Sequence, residues 1–142
     1  EWLFVRGADE HRKFVTDLTM PHVARKYREA VAGRKGVVIV EWAQTAEMDM
    51  GPWTNNNVIV VDSPDRPVFL AKRNVAPDRI ALMDEIQWSA ERKAEFLSAR
   101  AARDKSGTVI RYANRIRPSE DEARADIAAL LAEVCAIFTS KS

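Results

Sequence analysis

The pattern of hydrophobic and polar positions divides the chain into short apolar runs and longer helical stretches. Three runs are uniformly apolar and rich in β-branched residues, which is typical of strands covered on both faces. These three runs occupy residues 37–40, 58–61 and 68–71. A fourth segment, 108–117, alternates and places Ile110 and Tyr112 on one face. We therefore predict four strands, with residues 2–5 as a candidate fifth strand or a hydrophobic plug.

Helical periodicity surrounds the predicted strands. A first helix contains Pro21, which predicts a kink or a division into two helices. Pro77 opens a second long helix, and Gly107 ends it. Ser119 and Glu122 form a capping box ahead of a last helix. The apolar face of that helix consists of Ile127, Leu130, Val134 and Phe138.

These elements predict a fold class. The order is α-β-β-β-α-β-α, with the Pro-rich segment 63–67 joining the second and third strands as an antiparallel hairpin. We expect one α+β domain over residues 1–142, with a single mixed sheet of four to five strands packed against three to four helices. The chain begins at Glu1 and not at methionine, so we expect a fragment or a part of a larger protein.

Composition narrows the function classes. The 142 residues are 46% hydrophobic and 30% charged, which is a globular balance. Because 22 basic and 21 acidic residues leave a net charge of +1, no global field attracts nucleic acid or an acidic membrane. No run approaches the roughly 18 apolar residues of a membrane helix, so we expect no membrane partner and a cytoplasmic location. Cys135 has apolar helical neighbours and is predicted to be a core thiol.

Three arginines form the clearest surface signal. Arg111, Arg115 and Arg117 alternate along the fourth predicted strand and should share one face. Guanidinium groups in a row can bind phosphates or the carboxylates of a partner. The alternative is a solvated edge strand whose charges prevent aggregation.

Two tryptophans are candidate binding residues. Trp53 lies in residues 43–57, the longest segment without periodicity, which we interpret as a binding loop. Glu47 and Asp49 in the same loop could contribute to a cation site, although the loop's methionines could instead fold it onto the core. Trp88 lies off the apolar stripe of its helix and is either an anchor for a partner or a packed side chain.

Asp62 and Lys72 are catalytic candidates at the ends of the predicted hairpin strands. The order helix, three strands, helix, strand resembles the core of the restriction-endonuclease-like nucleases. In that family an acidic residue on the second strand pairs with an acidic-x-Lys element on the third, and together they hold a divalent metal. The resemblance implies Asp62 as the acid and Lys72 as the lysine, with Leu70 in place of the second acid. Glu85 on the following helix is a substitute ligand, and Mg²⁺ is expected only under this interpretation.

No complete catalytic set is visible, and no metal or cofactor is otherwise expected. We therefore predict a non-catalytic binding or assembly domain that recognises a protein partner, a ligand or a second copy of itself. One alternative is a nucleic-acid-binding domain or a nuclease-like domain, the latter either active or degenerate. The other is a small-substrate enzyme whose catalytic groups are dispersed along the sequence and meet only in space.

Overall fold

A computed structural model describes residues 9–139 of the chain. In chain order the elements are α1 (Asp9–Val31), a 3₁₀ turn (Gly51–Thr54), β1 (Val58–Asp62), α2 (Arg66–Lys72), α3 (Pro77–Ile86), α4 (Ala90–Asp104), β2 (Val109–Ala113) and α5 (Glu120–Thr139). Residue contacts divide the described chain into two compact units. The first unit comprises residues 9–43 and 76–86, and the second comprises residues 44–75 and 87–139.

The sheet is smaller than the sequence predicts. It has two parallel strands in the described residues, with Val58 of β1 opposite Val109 of β2 and Asp62 opposite Ala113. The prediction of one mixed sheet of four to five strands in the order α-β-β-β-α-β-α is therefore wrong. Helices α2, α3 and α4 all lie between the two strands in sequence, so the connection is a long helical crossover, as parallel pairing requires.

The predicted third strand is a helix. Residues 68–71 lie within α2, whose first turn contains Pro67. A proline in the first helical turn loses no hydrogen bond, and its fixed φ suits a helix. The prolines that we interpreted as a hairpin turn therefore start a helix, and there is no hairpin after β1.

The first predicted strand has no regular secondary structure. Residues 37–40 belong to the first unit and are all exposed, with Ile39 at 86% of its maximum accessibility. A strand exists only where a neighbouring strand completes its hydrogen bonds, and a β-branched run cannot supply that neighbour itself. The candidate fifth strand at residues 2–5 lies outside the described residues.

The predicted long helix after Pro77 is two helices. A break at residues 87–89 separates α3 from α4, and Ser89 caps α4 by accepting a hydrogen bond from the Arg92 amide at 3.2 Å. Helix α4 ends before Gly107, with Lys105 in the left-handed conformation at its C-cap. In the first unit, α1 continues through Pro21 as one helix.

Helix α4 covers one face of the sheet and forms the core of the second unit. It contacts both strands and the 3₁₀ turn. Its inward residues Ala94 and Leu97 are buried against Val60 of β1 and Ala46. Because strand side chains alternate, the opposite face of β1 carries Ile59 and Val61, which are 41% and 55% exposed.

The last helix forms as predicted at its start but packs less closely than expected. The Ser119 hydroxyl accepts a hydrogen bond from the Glu122 amide at 3.2 Å, as the capping motif requires. No residue of α5 with a described side chain is buried. The prediction that Cys135 is a core thiol is therefore wrong, since this cysteine is exposed.

Candidate functional site

The segment predicted to be a binding loop is tied to α4 at one end by a polar cluster. Asn56 is 2% exposed, and its Nδ2 donates to Asp104 Oδ2 at 3.1 Å and to Ser106 Oγ at 3.2 Å. Arg100 donates from Nε to the same Asp104 oxygen at 2.7 Å and also forms an ion pair with Asp49. The cluster joins residues 49 and 56 to the last turns of α4.

The charges in this cluster stabilise each other. The hydrogen bond from Arg100, followed by the one from Asn56, lowers the pKa of Asp104 below its ordinary value of 3.8. The hydrogen bond with Asp104 is also the main reason why the pKa of Arg100 is raised. Asp49, which we considered as part of a cation site, has a basic partner instead.

Two glycines let the backbone approach Asn56. Gly107 has φ +89°, and a Cβ there would lie 2.4 Å from the Asn56 carbonyl carbon and oxygen. A Cβ on Gly51 would lie 2.7 Å from Asn56 Oδ1, which has no hydrogen-bond partner among the described residues. A side chain at Gly107 would overlap backbone atoms, whereas one at Gly51 would require the Asn56 side chain to shift. The unpartnered oxygen therefore faces backbone, which indicates a structural role for this asparagine.

A second polar contact ties the same segment to the first turn of α4. Glu47 Oε1 accepts a hydrogen bond from the Trp88 amide at 3.0 Å. The same oxygen forms an ion pair with Lys93 Nζ at 3.2 Å. Both charged side chains are largely shielded, at 17% exposure for Lys93 and 14% for Glu47. The segment 44–57 is therefore an ordered part of the second unit, and Trp53 lies half-buried in its 3₁₀ turn.

The Trp88 ring is partly packed and partly accessible. It contacts the core around Leu97, and the Arg92 guanidinium lies 4.0 Å from its centroid in a cation–π arrangement. The Phe96 ring meets it edge-on at 5.4 Å between centroids. Trp88 therefore packs on the core beside the exposed Phe96 and Arg92, and its role as an anchor for a partner stays a prediction.

The arginine row is not continuous. Strand β2 ends at Ala113, so only Arg111 lies on the strand. Arg117 forms an ion pair with Asp126 of α5 and donates to the Ala113 carbonyl at 3.3 Å. Arg111 and Arg115 remain exposed. The structure therefore does not bring the three guanidinium groups together as one strand face.

The catalytic candidates lie on separate elements. Asp62 is the last residue of β1 and is half-buried, whereas Lys72 is the last residue of α2 and is exposed. Glu85 belongs to α3, in the first unit. The third strand that would carry the family's acidic-x-Lys element is absent from the described residues. Within those residues, no three acidic, histidine or cysteine side chains form a group that could hold a metal.

A shallow cavity lies at the C-terminal end of α4. Its volume is about 420 Å³, and the residues that line it include Ser98, Lys105, Ser106 and Thr108. The Ser106 hydroxyl already accepts a hydrogen bond from Asn56. The lining residues thus include one lysine and three hydroxyl residues but no acidic residue.

The exposed apolar surface is more extensive than the sequence predicts. Among the described residues, the exposed large hydrophobics are Phe14, Leu18, Val37, Val38, Ile39, Val40, Ile59, Val61, Val68, Phe96, Ile116, Ile127, Leu131 and Phe138. Several of these form groups on one element. In α5, Ile127, Leu131 and Phe138 lie beside the half-buried stripe that contains Leu130 and Val134. The sequence shows that α5 has more apolar positions than one stripe needs, but which of them stay exposed depends on the elements that pack against the helix.

Comparison with known proteins adds no relative. No protein-family model, no curated protein and no solved structure matches the chain. None of the helices between residues 9 and 139 is long and apolar enough to cross a membrane.

Proposed function

We propose that the chain is a non-catalytic assembly domain, which binds another protein through apolar side chains that its own fold leaves exposed. The observation that carries this proposal is the balance of burial. Among the large hydrophobic side chains of the described residues, four are buried (Met50, Val60, Leu97 and Ile110) and fourteen are exposed. Single exposed hydrophobics are ordinary, but grouped ones mark interaction surfaces.

The grouping supports the proposal further. Ile59 and Val61 share the uncovered face of β1, and Ile127, Leu131 and Phe138 follow one side of α5. Burying such side chains against a partner stabilises a complex by roughly 25 cal/mol for each Å² removed from water. Without a partner, these exposed side chains favour aggregation, and binding a partner would remove that tendency.

The polar groups considered for chemistry support a structural role. Glu47, Asp49 and Arg117 each have an oppositely charged partner in the second unit. These pairs hold the segment 44–57 and α5 in place. The nuclease-like and small-substrate alternatives remain predictions from sequence, as does the cytoplasmic location.

A photo-crosslinking experiment in the native cells tests this proposal. The photoreactive residue benzoylphenylalanine is placed at Val61, at Leu131 or, as the control, at Lys72, which is exposed on α2. We expect discrete crosslinked protein bands from the two apolar positions and none from the control. Equal labelling at all three positions, or no adduct at any of them, would contradict an assembly role.

A further inference from the structure

Two exposed stripes, one on α1 and one on α5, have matching spacing. The α1 stripe consists of Phe14, Leu18 and Arg25, separated by four and then seven residues. The α5 stripe consists of Glu120, Ile127 and Leu131, separated by seven and then four residues. Because a helix turns about 100° per residue, each set lies within an arc of about 40° on its own helix.

The order of the residues matches when the two helices lie antiparallel. Phe14 then faces Leu131, Leu18 faces Ile127, and Arg25 faces Glu120. The two apolar contacts occur together, and the single charged contact joins opposite charges. Antiparallel packing also places the positive end of each helix dipole beside the negative end of the other.

All six side chains are accessible. Phe14 and Leu18 are 65% and 60% exposed on α1, and Ile127 and Leu131 are 46% and 54% exposed on α5. Arg25 pairs within its helix with Glu29 at 2.8 Å, and Glu120 pairs within its helix with Arg124 at 2.7 Å. Exposed pairs of this kind contribute little, so an exchange of partners costs little.

We propose that the α1 stripe of one copy packs antiparallel on the α5 stripe of a second copy. This inference rests on the proposed assembly function and names the partner as the same chain. The charge complementarity of Arg25 with Glu120 supports it, together with the matching spacing of the apolar residues. If two copies contact each other through both of their stripes, they form a two-fold dimer. If each stripe of a copy contacts a different copy, the contact repeats as a head-to-tail series.

Sedimentation velocity over a series of protein concentrations tests the contact. We expect the purified wild-type chain to associate with rising concentration. The reversals Arg25→Glu and Glu120→Arg each place like charges across the contact, so we expect each to weaken association about tenfold or more. A mixture of the two variants restores opposite charges at every contact between unlike copies, so we expect the mixture to associate as the wild type does.

Matched controls separate the stripes from general charge effects. Lys26 shares Glu29 with Arg25 but lies about 100° away around α1, and Glu133 is exposed on α5 away from its stripe. We expect Lys26→Glu and Glu133→Lys to leave association unchanged. Leu18→Asp should abolish association, and circular dichroism of each variant checks that its helices are retained.

Three results would overturn the inference. The wild type could remain a monomer throughout, the controls could weaken association as much as the stripe variants, or the mixture could fail to recover. A monomeric wild type with specific crosslinks to a different protein in cells would refute self-association and leave the assembly function intact. Absence of those crosslinks as well would refute both.

Discussion

Replacement of Gly107 by alanine tests the close approach on which the fold of the second unit depends. Gly107 precedes β2 and has φ +89°, a conformation that L-residues rarely adopt. A Cβ at this position would lie 2.4 Å from the carbonyl carbon and oxygen of Asn56 and 2.5 Å from the oxygen of Asn55. Since these are backbone atoms, no side-chain rotation relieves the overlap.

Two costs add in the Gly107→Ala variant. The positive φ costs a residue with a Cβ about 1–2 kcal/mol. Forcing the two backbones apart costs about 1–3 kcal/mol more, by analogy with overpacked cores. The expected loss is therefore about 2–5 kcal/mol, a large fraction of the roughly 5–15 kcal/mol that stabilises a typical domain.

Gly36→Ala is the matched control, because Gly36 has φ +93° and nothing within 4 Å of its Cβ position. Urea unfolding, followed by circular dichroism and tryptophan fluorescence, gives the free energy of unfolding of both variants. We expect Gly36→Ala to lose only the backbone cost and Gly107→Ala to lose at least 1 kcal/mol more. Equal losses would show that the contact between Gly107 and Asn56 is not tight.

Other predictions concern the charged groups. Because the folded pKa of Asp104 is depressed, its contribution to stability is present above its unfolded pKa near 3.8 and is lost as pH falls through the folded pKa. The stability difference between wild type and Asp104→Asn should therefore shrink below that pH in urea titrations, and a constant difference would contradict the pairing. Lys93→Met leaves the shielded Glu47 carboxylate without this cation and should lower the free energy of unfolding by about 1–3 kcal/mol. The double variant with Glu47→Gln should recover much of that loss. Additive losses in this double-mutant cycle would argue against coupling between the two side chains. Under the assembly proposal, Arg115→Glu leaves the affinity for short DNA and RNA unchanged. The protein with Mg²⁺ then yields no cleavage products on a gel. Loss of salt-sensitive binding in Arg115→Glu would favour the nucleic-acid alternative.

Local signals in the sequence were reliable where one element decides the outcome. The start of α5 follows from Ser119 and Glu122, because a helix cap is made by residues three apart. The strand character of residues 58–61 is confirmed in β1, and the alternation of Ile110 and Arg111 is confirmed in β2. Mixed helix and strand content follows from the same signals.

Local apolar runs were insufficient where two structures suit the same residues. Residues 58–61 and 68–71 are similarly apolar, yet only residues 58–61 form a strand. The difference is Pro67, which occupies the first turn of α2 and favours a helix. Because the prediction placed Pro67 in a turn, the predicted hairpin, the third strand and the nuclease-like strand order were all wrong.

The sequence by itself determined the helical periodicity, the caps and the strand character of two runs, because each depends on residues within a few positions of one another. Only the tertiary structure decided which runs pair and which polar residues meet. Arg100 contacts Asp49, which is 51 residues away along the chain, and Trp88 contacts Glu47, which is 41 residues away. No spacing in the sequence predicts contacts at such separations. The exposure of Ile127 and Leu131 was equally a tertiary outcome, because an apolar face is buried only where another element covers it.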